Sequence, residues 1–243
     1  MERSLTYFVS DLHLGLKVGD PAGRERQFAE FLAGIKPGET EAVYLLGDIW
    51  DFWYEYRDVV PRGYVRVFSA LTALMDGGVK VYFFRGNHDI WTFGYFEELG
   101  IRVLEQPYEF TAGGKRFCVG HGDGLGPGMK GYKFLRGVFR NRLLQRLFST
   151  LHPWLAFRLG ESWSRHSRLA KNIAYQFKGA DEPLYKYCEA RQASHPVDYY
   201  IFGHYHAEAD VPVGAARLLL LGDWITRPNW LVFNASGGEI RRF

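Results

Sequence analysis

The sequence has few cysteines and no long apolar run, and each shortage excludes a class of protein. Two cysteines in 243 residues, Cys118 and Cys188, exclude a disulfide framework, and their apolar neighbours predict reduced core side chains. No apolar stretch approaches the roughly 20 residues that span a bilayer. Because Met1-Glu2-Arg3-Ser4 leads directly into a strand-like run, no secretion signal is predicted either. The expected compartment is the cytoplasm.

Acidic residues are nearly absent from residues 129–178. This segment carries eleven Lys and Arg residues against one acid, Glu161, so its charge is +10 in a chain whose net charge is +3. Large apolar residues between Leu135 and Leu151 recur at the three- and four-residue steps of an amphipathic helix. Because the segment separates two strand-like units, it predicts a helical insertion over 129–178 within a single domain over 1–243.

Five short polar motifs each directly follow an apolar run. They are Asp11-Leu12-His13, Gly47-Asp48, Gly86-Asn87-His88-Asp89, Gly120-His121-Gly122-Asp123 and Gly203-His204-Tyr205-His206. Runs of a few Val, Ile, Phe and Tyr residues predict buried strands. Polar side chains at successive strand ends meet at one edge of an open α/β sheet. A set of N and O ligands without thiolate suits Mn, Fe or Zn, so the pattern is typical of a metal-dependent hydrolase.

Each motif also has an ordinary structural interpretation. Asp-x-His is most often a surface pair, Gly-Asp a turn, and Asn-His-Asp a helix N-cap cluster. Gly-His-x-His is more specific, because two imidazoles on one face repel when protonated and attract a cation when neutral. The five motifs in this order, each at a strand end, favour the metal site over the separate structural interpretations.

The remaining pattern predicts an α/β (α+β) fold. Amphipathic helices are expected around 27–35, 67–75 and 93–99, each closed by glycine or Pro-Gly. Strands separated by Gly-Gly turns dominate 102–119 and the C-terminal 217–243. Such alternation predicts mixed sheets with helices outside.

The motif order resembles that of the calcineurin-like metallophosphoesterases, and the match runs from Asp11 to His206. The resemblance implies a four-layer α-β-β-α sandwich with a two-metal centre at the strand ends. It implies one metal held by Asp11, His13, Asp48 and His206, and a second held by Asp48, Asn87, His121 and His204. It makes Asp48, shared by both metals, and His88, which contacts the scissile phosphate or protonates the leaving oxygen, the catalytic residues. The expected cofactors are two divalent ions, Mn²⁺ in first place with Fe or Zn as alternatives.

Longer stretches, Gly47–Tyr56 and His121–Gly128, are similar to the branch of this family that hydrolyses UDP-2,3-diacylglucosamine in lipid A biosynthesis. The resemblance implies cleavage of the diphosphate to UMP and 2,3-diacylglucosamine 1-phosphate, with the basic insertion as the substrate-binding cap. The better-known members of that branch have Arg where this chain has His88. This departure keeps a general metal-dependent phosphodiesterase or nuclease as the alternative, and a non-catalytic scaffold relative as the second.

The basic insertion independently predicts a lipid-linked, anionic partner. Cationic residues beside an apolar stripe suit a helix lying on an anionic membrane, so peripheral contact with the cytoplasmic face of the inner membrane is expected, and no nucleic acid. The purely structural alternative is that the apolar stripe packs on the core and the charges are solvated. The acyl chains are expected to contact Phe139, Phe148, Trp154 and Phe157. The diphosphate is expected to contact Arg165, Arg168 and Lys171. Asn172 is a further candidate for a substrate contact.

Overall fold

Two mixed β-sheets form the centre of the molecule. A computed structural model describes residues 3–169, 175–234 and 236–243, with the side chains of 165–169 excepted. The strands are β1 (Leu5–Val9), β2 (Thr40–Leu45), β3 (Lys80–Phe84), β4 (Arg102–Leu104), β5 (Tyr108–Ala112), β6 (Lys115–Gly120), β7 (Tyr199–Phe202), β8 (Ala209–Val213), β9 (Ala216–Leu220), β10 (Asn229–Asn234) and β11 (Gly237–Arg242). One sheet has the order β11-β10-β1-β2-β3-β4 and the other β5-β6-β7-β9-β8.

The helices are α1 (Pro21–Gly34), α2 (Val65–Asp76), α3 (Tyr95–Glu98), α4 (Lys130–Arg140), α5 (Arg142–Phe148), α6 (Pro153–Leu169) and α7 (Pro183–Ser194). The first begins where the sequence supplies a cap: the Asp20 carboxylate accepts a hydrogen bond from Gly23 N at 2.8 Å, and Pro21 occupies the first turn. We call α4–α6 the helical segment; it leaves the core after β6, and the chain returns to the core through α7 and β7.

Parallel pairing brings the functional loops to one edge. In the first sheet β1, β2 and β3 run parallel, and in the second β6, β7 and β9 do. The carboxyl ends of parallel strands meet on the same side of a sheet. The loops that follow β1, β2, β3, β6 and β7 therefore carry all five polar motifs to this edge.

Three apolar layers hold the sheets and helices together. Phe28 of α1 and Leu71 of α2 pack on the outer face of the first sheet. Phe8 and Phe117 fill the space between the two sheets, and Leu184 of α7 covers the outer face of the second. The helix–sheet–sheet–helix order confirms the predicted four-layer α-β-β-α fold. Each fully buried side chain of this size contributes about 1.5–3 kcal/mol.

The two cysteines are free and buried, as predicted. Burial raises the pKa of the Cys118 thiol to about 12, so it is an inert core group. Among the described helices, none combines the length and the apolar character that crossing a bilayer requires.

Candidate metal centre

Backbone in the left-handed region orients several side chains of the site. Asp11, His13, Asp48, His204 and His206 have φ between 48° and 71°. Non-glycine residues in this region cost of order 1–3 kcal/mol each and persist where surrounding structure holds them. Here the loops are bonded to one another, as when His13 N donates to the Asp48 carbonyl at 2.9 Å. The strain is concentrated on the residues whose placement the site requires.

One cluster joins the loops after β1 and β7. Asp11, His13 and His206 each bring a ligand atom within 4.8 Å of the others. His206 Nε2 lies 3.1 Å from His13 Nε2 and 3.3 Å from Asp11 Oδ1. Asp11 is held from its other oxygen, Oδ2, which accepts hydrogen bonds from His204 N at 2.9 Å and Ser10 Oγ at 2.5 Å.

A second cluster joins the loops after β2, β6 and β7. Asp48, His121 and His204 again place ligand atoms within 4.8 Å of one another, and Asn87 Oδ1 lies 3.3 Å from His121 Nε2. Asp48 Oδ2 lies 3.4 Å from His121 Nε2 and 3.8 Å from His13 Nε2, so this carboxylate stands between the two clusters. The structure thus brings together all seven predicted metal ligands.

Three imidazoles present Nε2 inward because Nδ1 is engaged elsewhere. His121 Nδ1 lies 2.9 Å from the Leu46 carbonyl, which can only accept, so Nδ1 carries the proton. Nδ1 of His13 faces Asp51 Oδ1 at 3.4 Å, and Nδ1 of His206 faces Asp223 Oδ2 at 3.6 Å. Such outer partners fix the tautomer of histidines that bind metals through Nε2.

Asp89 organises the loop that carries Asp48. Its carboxylate accepts hydrogen bonds from the backbone N–H groups of Gly86, Asp48 and Ile49 at 2.7–3.1 Å, and from that of Trp50 at 3.3 Å. Burial and the charge of Asp48 raise the pKa of Asp89 to about 7. It holds the backbone of two ligand loops rather than facing the centre.

His88 lies beside the clusters and faces a chamber. Its Nδ1 donates to the Asp51 carbonyl at 2.9 Å, which leaves Nε2 free in the neutral ring. Its backbone N donates to Asp48 Oδ1 at 2.8 Å. Asp51 also accepts a hydrogen bond from Ser164 Oγ of α6 at 2.8 Å, so this carboxylate links His13 to the helical segment.

The electrostatics of the centre favour a cation. Although burial opposes charge, the Asp48 carboxylate raises the pKa of His121 to about 10, and the Asp11 and Asp223 carboxylates raise the pKa of His206 to about 9. Burial and the positive His121 lower the pKa of His204 to about 4. Positive charge is thus stabilised at this position, and one imidazole is already neutral.

The residues fit divalent metals on their geometry. Buried Asp11 Oδ1 accepts no hydrogen bond from a described residue, and the His13 and His206 Nε2 atoms face each other at 3.1 Å. A buried carboxylate oxygen without a hydrogen-bond donor is costly, and a divalent cation that replaced the imidazole proton would bind this oxygen together with both Nε2 atoms. Carboxylate, amide and imidazole donors suit Mn, Fe or Zn.

An apolar chamber of about 620 Å³ opens beside the centre. His88, Asn87 and His204 line its polar end, and Leu135, Val138, Phe139, Leu144 and Phe148 of the helical segment line much of the rest. Core side chains fasten the segment over it. Trp91 Nε1 donates to the Phe139 carbonyl at 3.1 Å, and the Tyr54 hydroxyl to the Gln145 carbonyl at 2.7 Å.

Not every residue expected at the substrate lies at this chamber. Phe139 and Phe148 line it, whereas Trp154 does not: it is 60% exposed, and the Arg158 guanidinium lies over its ring. Phe157 contacts the Phe52 ring instead. The side chains of Arg165 and Arg168, and the whole of Lys171 and Asn172, lie outside the described residues.

Four further carboxylates support the site, Asp51, Asp89, Asp123 and Asp223, and the sequence analysis assigned a role to none of them, although Asp89 and Asp123 stand in two of the motifs. A usable signal existed for the last, because Gly222-Asp223 follows an apolar run as Gly47-Asp48 does. The roles of the others are recognisable only from the contacts they make in the fold.

Comparison with known proteins agrees with this geometry. Residues 5–208 match the family described as Calcineurin-like phosphoesterase. A Porphyromonas gingivalis protein named UDP-2,3-diacylglucosamine hydrolase is 37% identical over 96% of this chain and 95% of its own length. Proteins of the same name from Stenotrophomonas maltophilia and Neisseria gonorrhoeae are 32% and 33% identical, over 97% and 90% of this chain and 97% and 89% of theirs.

Proposed function

Since the chain belongs to the calcineurin-like phosphoesterase family and is a hydrolase, we propose that it cleaves the diphosphate of UDP-2,3-diacylglucosamine. The products would be UMP and 2,3-diacylglucosamine 1-phosphate, as a step of lipid A synthesis. The observation that carries this proposal is the apolar chamber, which begins at the metal-ligand residues and offers an acyl chain a water-excluded wall.

Two divalent ions would be held by the two clusters, with Asp48 as the shared ligand. Asp11, His13 and His206 would complete one set, and Asn87, His121 and His204 the other. When bound, such ions lower the pKa of water and neutralise charge on a phosphoryl group. Mn²⁺ is our first choice for the metal.

His88 would act on the substrate rather than on a metal. Its Nδ1 is held by the Asp51 carbonyl, so Nε2 points toward the chamber end where the diphosphate would lie. A protonated Nε2 would donate a hydrogen bond to the phosphoryl oxygen or to the departing oxygen. The Asp48 carboxylate accepts a hydrogen bond from the His88 backbone N–H. Its negative charge is therefore adjacent to His88, although the two residues are 40 apart in sequence.

The outer face of the helical segment fits an anionic bilayer. Phe134, Leu143, Leu147 and Trp154 are 60–75% exposed. They lie on the most basic stretch of the chain, where each Lys or Arg near an anionic surface adds about 1 kcal/mol. We therefore place the enzyme peripherally on the cytoplasmic face of the inner membrane, where its lipid-linked substrate would be reached.

A substrate panel tests the reaction. Protein stripped with chelator and reloaded with Mn²⁺ is given UDP-2,3-diacylglucosamine, an aryl phosphodiester and single-stranded DNA, with products identified by mass spectrometry. Release of UMP from the first at a much higher kcat/KM than the others is expected. Faster cleavage of DNA would instead identify a nuclease.

A scaffold protein is the remaining alternative, and metal content separates it from the enzyme. The proposal expects bound divalent metal in the purified protein, and turnover that chelator removes and Mn²⁺ restores. Protein that neither retains nor takes up metal would contradict the proposed reaction.

A further inference from the structure

Helix α5 presents three different faces. Leu144 and Phe148, four residues apart, line the apolar chamber. Leu143 and Leu147, also four apart, are 73% and 65% exposed. Residues at this spacing share one side of a helix. A third side remains, and it carries Arg142 and Arg146.

The arginine side borders a second cavity, separate from the metal centre. This cleft has a volume of about 1110 Å³ and contains none of the seven metal-ligand residues. Arg142, Gln145, Arg146 and Ser149 form the wall from the helical segment. The opposite walls come from the loop 54–60 and from residues 92–98, including Glu97 and Glu98 of α3.

Some charges in the cleft are already paired. Glu105 lies 2.6 Å from Arg85 Nη1 and 3.0 Å from Arg140 Nη2. The Glu55 carboxylate accepts the Trp53 indole N–H and the backbone N–H groups of Phe93 and Tyr95. The charges of Arg85, Arg140, Glu105 and Glu55 are therefore engaged within the protein and are not available to a ligand.

Other charges have no such partner. Arg142 and Arg146 form no ion pair with a described carboxylate, although like charges at this helical spacing cost stability. Glu97 and Glu98, both exposed, form none with a described cation. The cleft therefore has unpaired cations on the α5 wall and unpaired carboxylates on the α3 wall, and the loop 54–60 adds one exposed charge of each sign, Arg57 and Asp58.

We propose that this cleft binds a zwitterionic lipid headgroup in which a phosphate diester is joined to a primary ammonium group, as in phosphoethanolamine lipids. The phosphate would meet Arg142 and Arg146, since guanidinium groups bind phosphate through paired hydrogen bonds. The ammonium would meet Glu97 and Glu98. The exposed Leu143 and Leu147 on the adjacent side of the same helix bring the cleft to the bilayer surface, so the headgroup would come from a membrane lipid.

The inference rests on the proposed membrane contact, not on the proposed reaction. Arg142, Arg146, Glu97 and Glu98 lie outside the catalytic machinery, so their variants should hydrolyse a soluble aryl phosphodiester at the normal rate. A failure of this site is therefore distinguishable from a failure of the enzyme assignment.

Vesicle binding by the full chain tests the site. Two vesicle types of equal net charge are compared: phosphatidylcholine alone, and phosphatidylcholine with half replaced by phosphatidylethanolamine. The two headgroups differ in that only ethanolamine donates N–H hydrogen bonds. The wild-type protein should bind the second type about tenfold more tightly, and soluble phosphoethanolamine should compete only weakly.

Matched variants locate the preference. Arg142→Gln/Arg146→Gln and Glu97→Gln/Glu98→Gln should each abolish it. Lys130→Gln/Arg158→Gln removes two charges from the helical segment outside the cleft and should keep it, although binding to phosphatidylglycerol vesicles weakens. A preference that survives both cleft variants, or is lost equally in the control, would overturn the proposal. Soluble phosphoethanolamine that binds as tightly as the vesicle would also overturn it, since the site would then serve a free metabolite.

Discussion

The Tyr132 hydroxyl of α4 donates a hydrogen bond to Asp123 Oδ2 at 2.8 Å, and this contact ties the helical segment to the loop that carries His121. Arg136 Nε lies 3.1 Å from the same oxygen. Asp123 is itself buried and is held from the core side by Gln106, whose amide donates to its carboxylate. One buried carboxylate therefore helps to hold α4 over the candidate metal centre.

Replacing Asp123 by Asn should weaken binding of the lipid-linked substrate. The charge that holds Arg136 disappears, whereas the Tyr132 hydroxyl still finds an oxygen acceptor. We expect KM for UDP-2,3-diacylglucosamine to rise about tenfold, equivalent to about 1.4 kcal/mol, with kcat for an aryl phosphodiester nearly unchanged. Tyr132→Phe, which removes one hydrogen bond, should have a smaller effect. Equal losses on both substrates would show that Asp123 acts on the centre itself.

Asp48→Asn should remove turnover and leave the fold intact. An amide keeps the shape of the side chain, and its oxygen still accepts the His88 N–H, but it lacks the charge shared between the two clusters. A fall in kcat of about 10²–10³-fold or more is expected, together with reduced metal content. Circular dichroism should match the wild type. A variant that turns over at a near-normal rate would refute the role of Asp48 as the shared ligand.

Gly203 should not tolerate a side chain. A Cβ there would clash with Ser10 Oγ and Asp11 Oδ2, which lie against the backbone of the His204 loop. Gly203→Ala should lower the free energy of unfolding by about 1–3 kcal/mol, or Tm by about 2–4 °C for each kcal/mol, and displace Asp11. The matched control is Gly34→Ala, because a Cβ at the end of α1 meets no atom within 4 Å. A thermal melt of both variants distinguishes this local clash from a general cost of alanine.

The sequence predicted the strand ends well because apolar runs and polar motifs are local signals. β1 (Leu5–Val9) and β7 (Tyr199–Phe202) are apolar runs that lead into two of the polar motifs, as expected. β8 was missed, since Pro212 argues against a strand; the structure accommodates it because β8 is an edge strand that pairs only with β9. α7 was missed because its buried apolar positions are sparse, Leu184 and Cys188.

The residues that support the candidate ligands could not be predicted from local sequence patterns. Asp51 supports His13 and receives Ser164 from a helix 113 residues later, a contact that only the folded chain brings about. Likewise, the charge count placed basic residues in 129–178 but did not reveal that α5 separates a chamber from a cleft. Sequence patterns therefore identify the candidate ligands of the centre, and tertiary contacts identify what orients them.

Metal binding should release protons at neutral pH. The pKa values of about 9 for His206 and about 10 for His121 mean that both rings are protonated without metal, and a cation binds only the deprotonated nitrogen. Affinity for Mn²⁺ should thus rise with pH and level off above these values. Calorimetry in two buffers of different ionisation enthalpy should report about two protons released per protein at neutral pH, and fewer as the pH rises through 9.

Asp223→Asn provides the control for that release. It removes one of the carboxylates that raise the pKa of His206, so fewer protons should be released at neutral pH. Heats that do not depend on the buffer would show that the imidazoles are already neutral and would contradict the electrostatic account of the centre.

Narrowing the chamber should discriminate between the lipid-linked substrate and a general phosphodiester. Val138 of α4 lines the chamber wall, so Val138→Trp would fill space that an acyl chain is proposed to occupy. We expect kcat/KM for UDP-2,3-diacylglucosamine to fall by at least about tenfold, because loss of apolar pocket contacts costs this much for small groups. The aryl phosphodiester does not need the chamber and should be cleaved at the normal rate. Val138→Ala, which widens the chamber at the same position, should retain activity on both substrates. If Val138→Trp slows both reactions equally, the chamber is not an acyl site and the general phosphodiesterase becomes the better assignment.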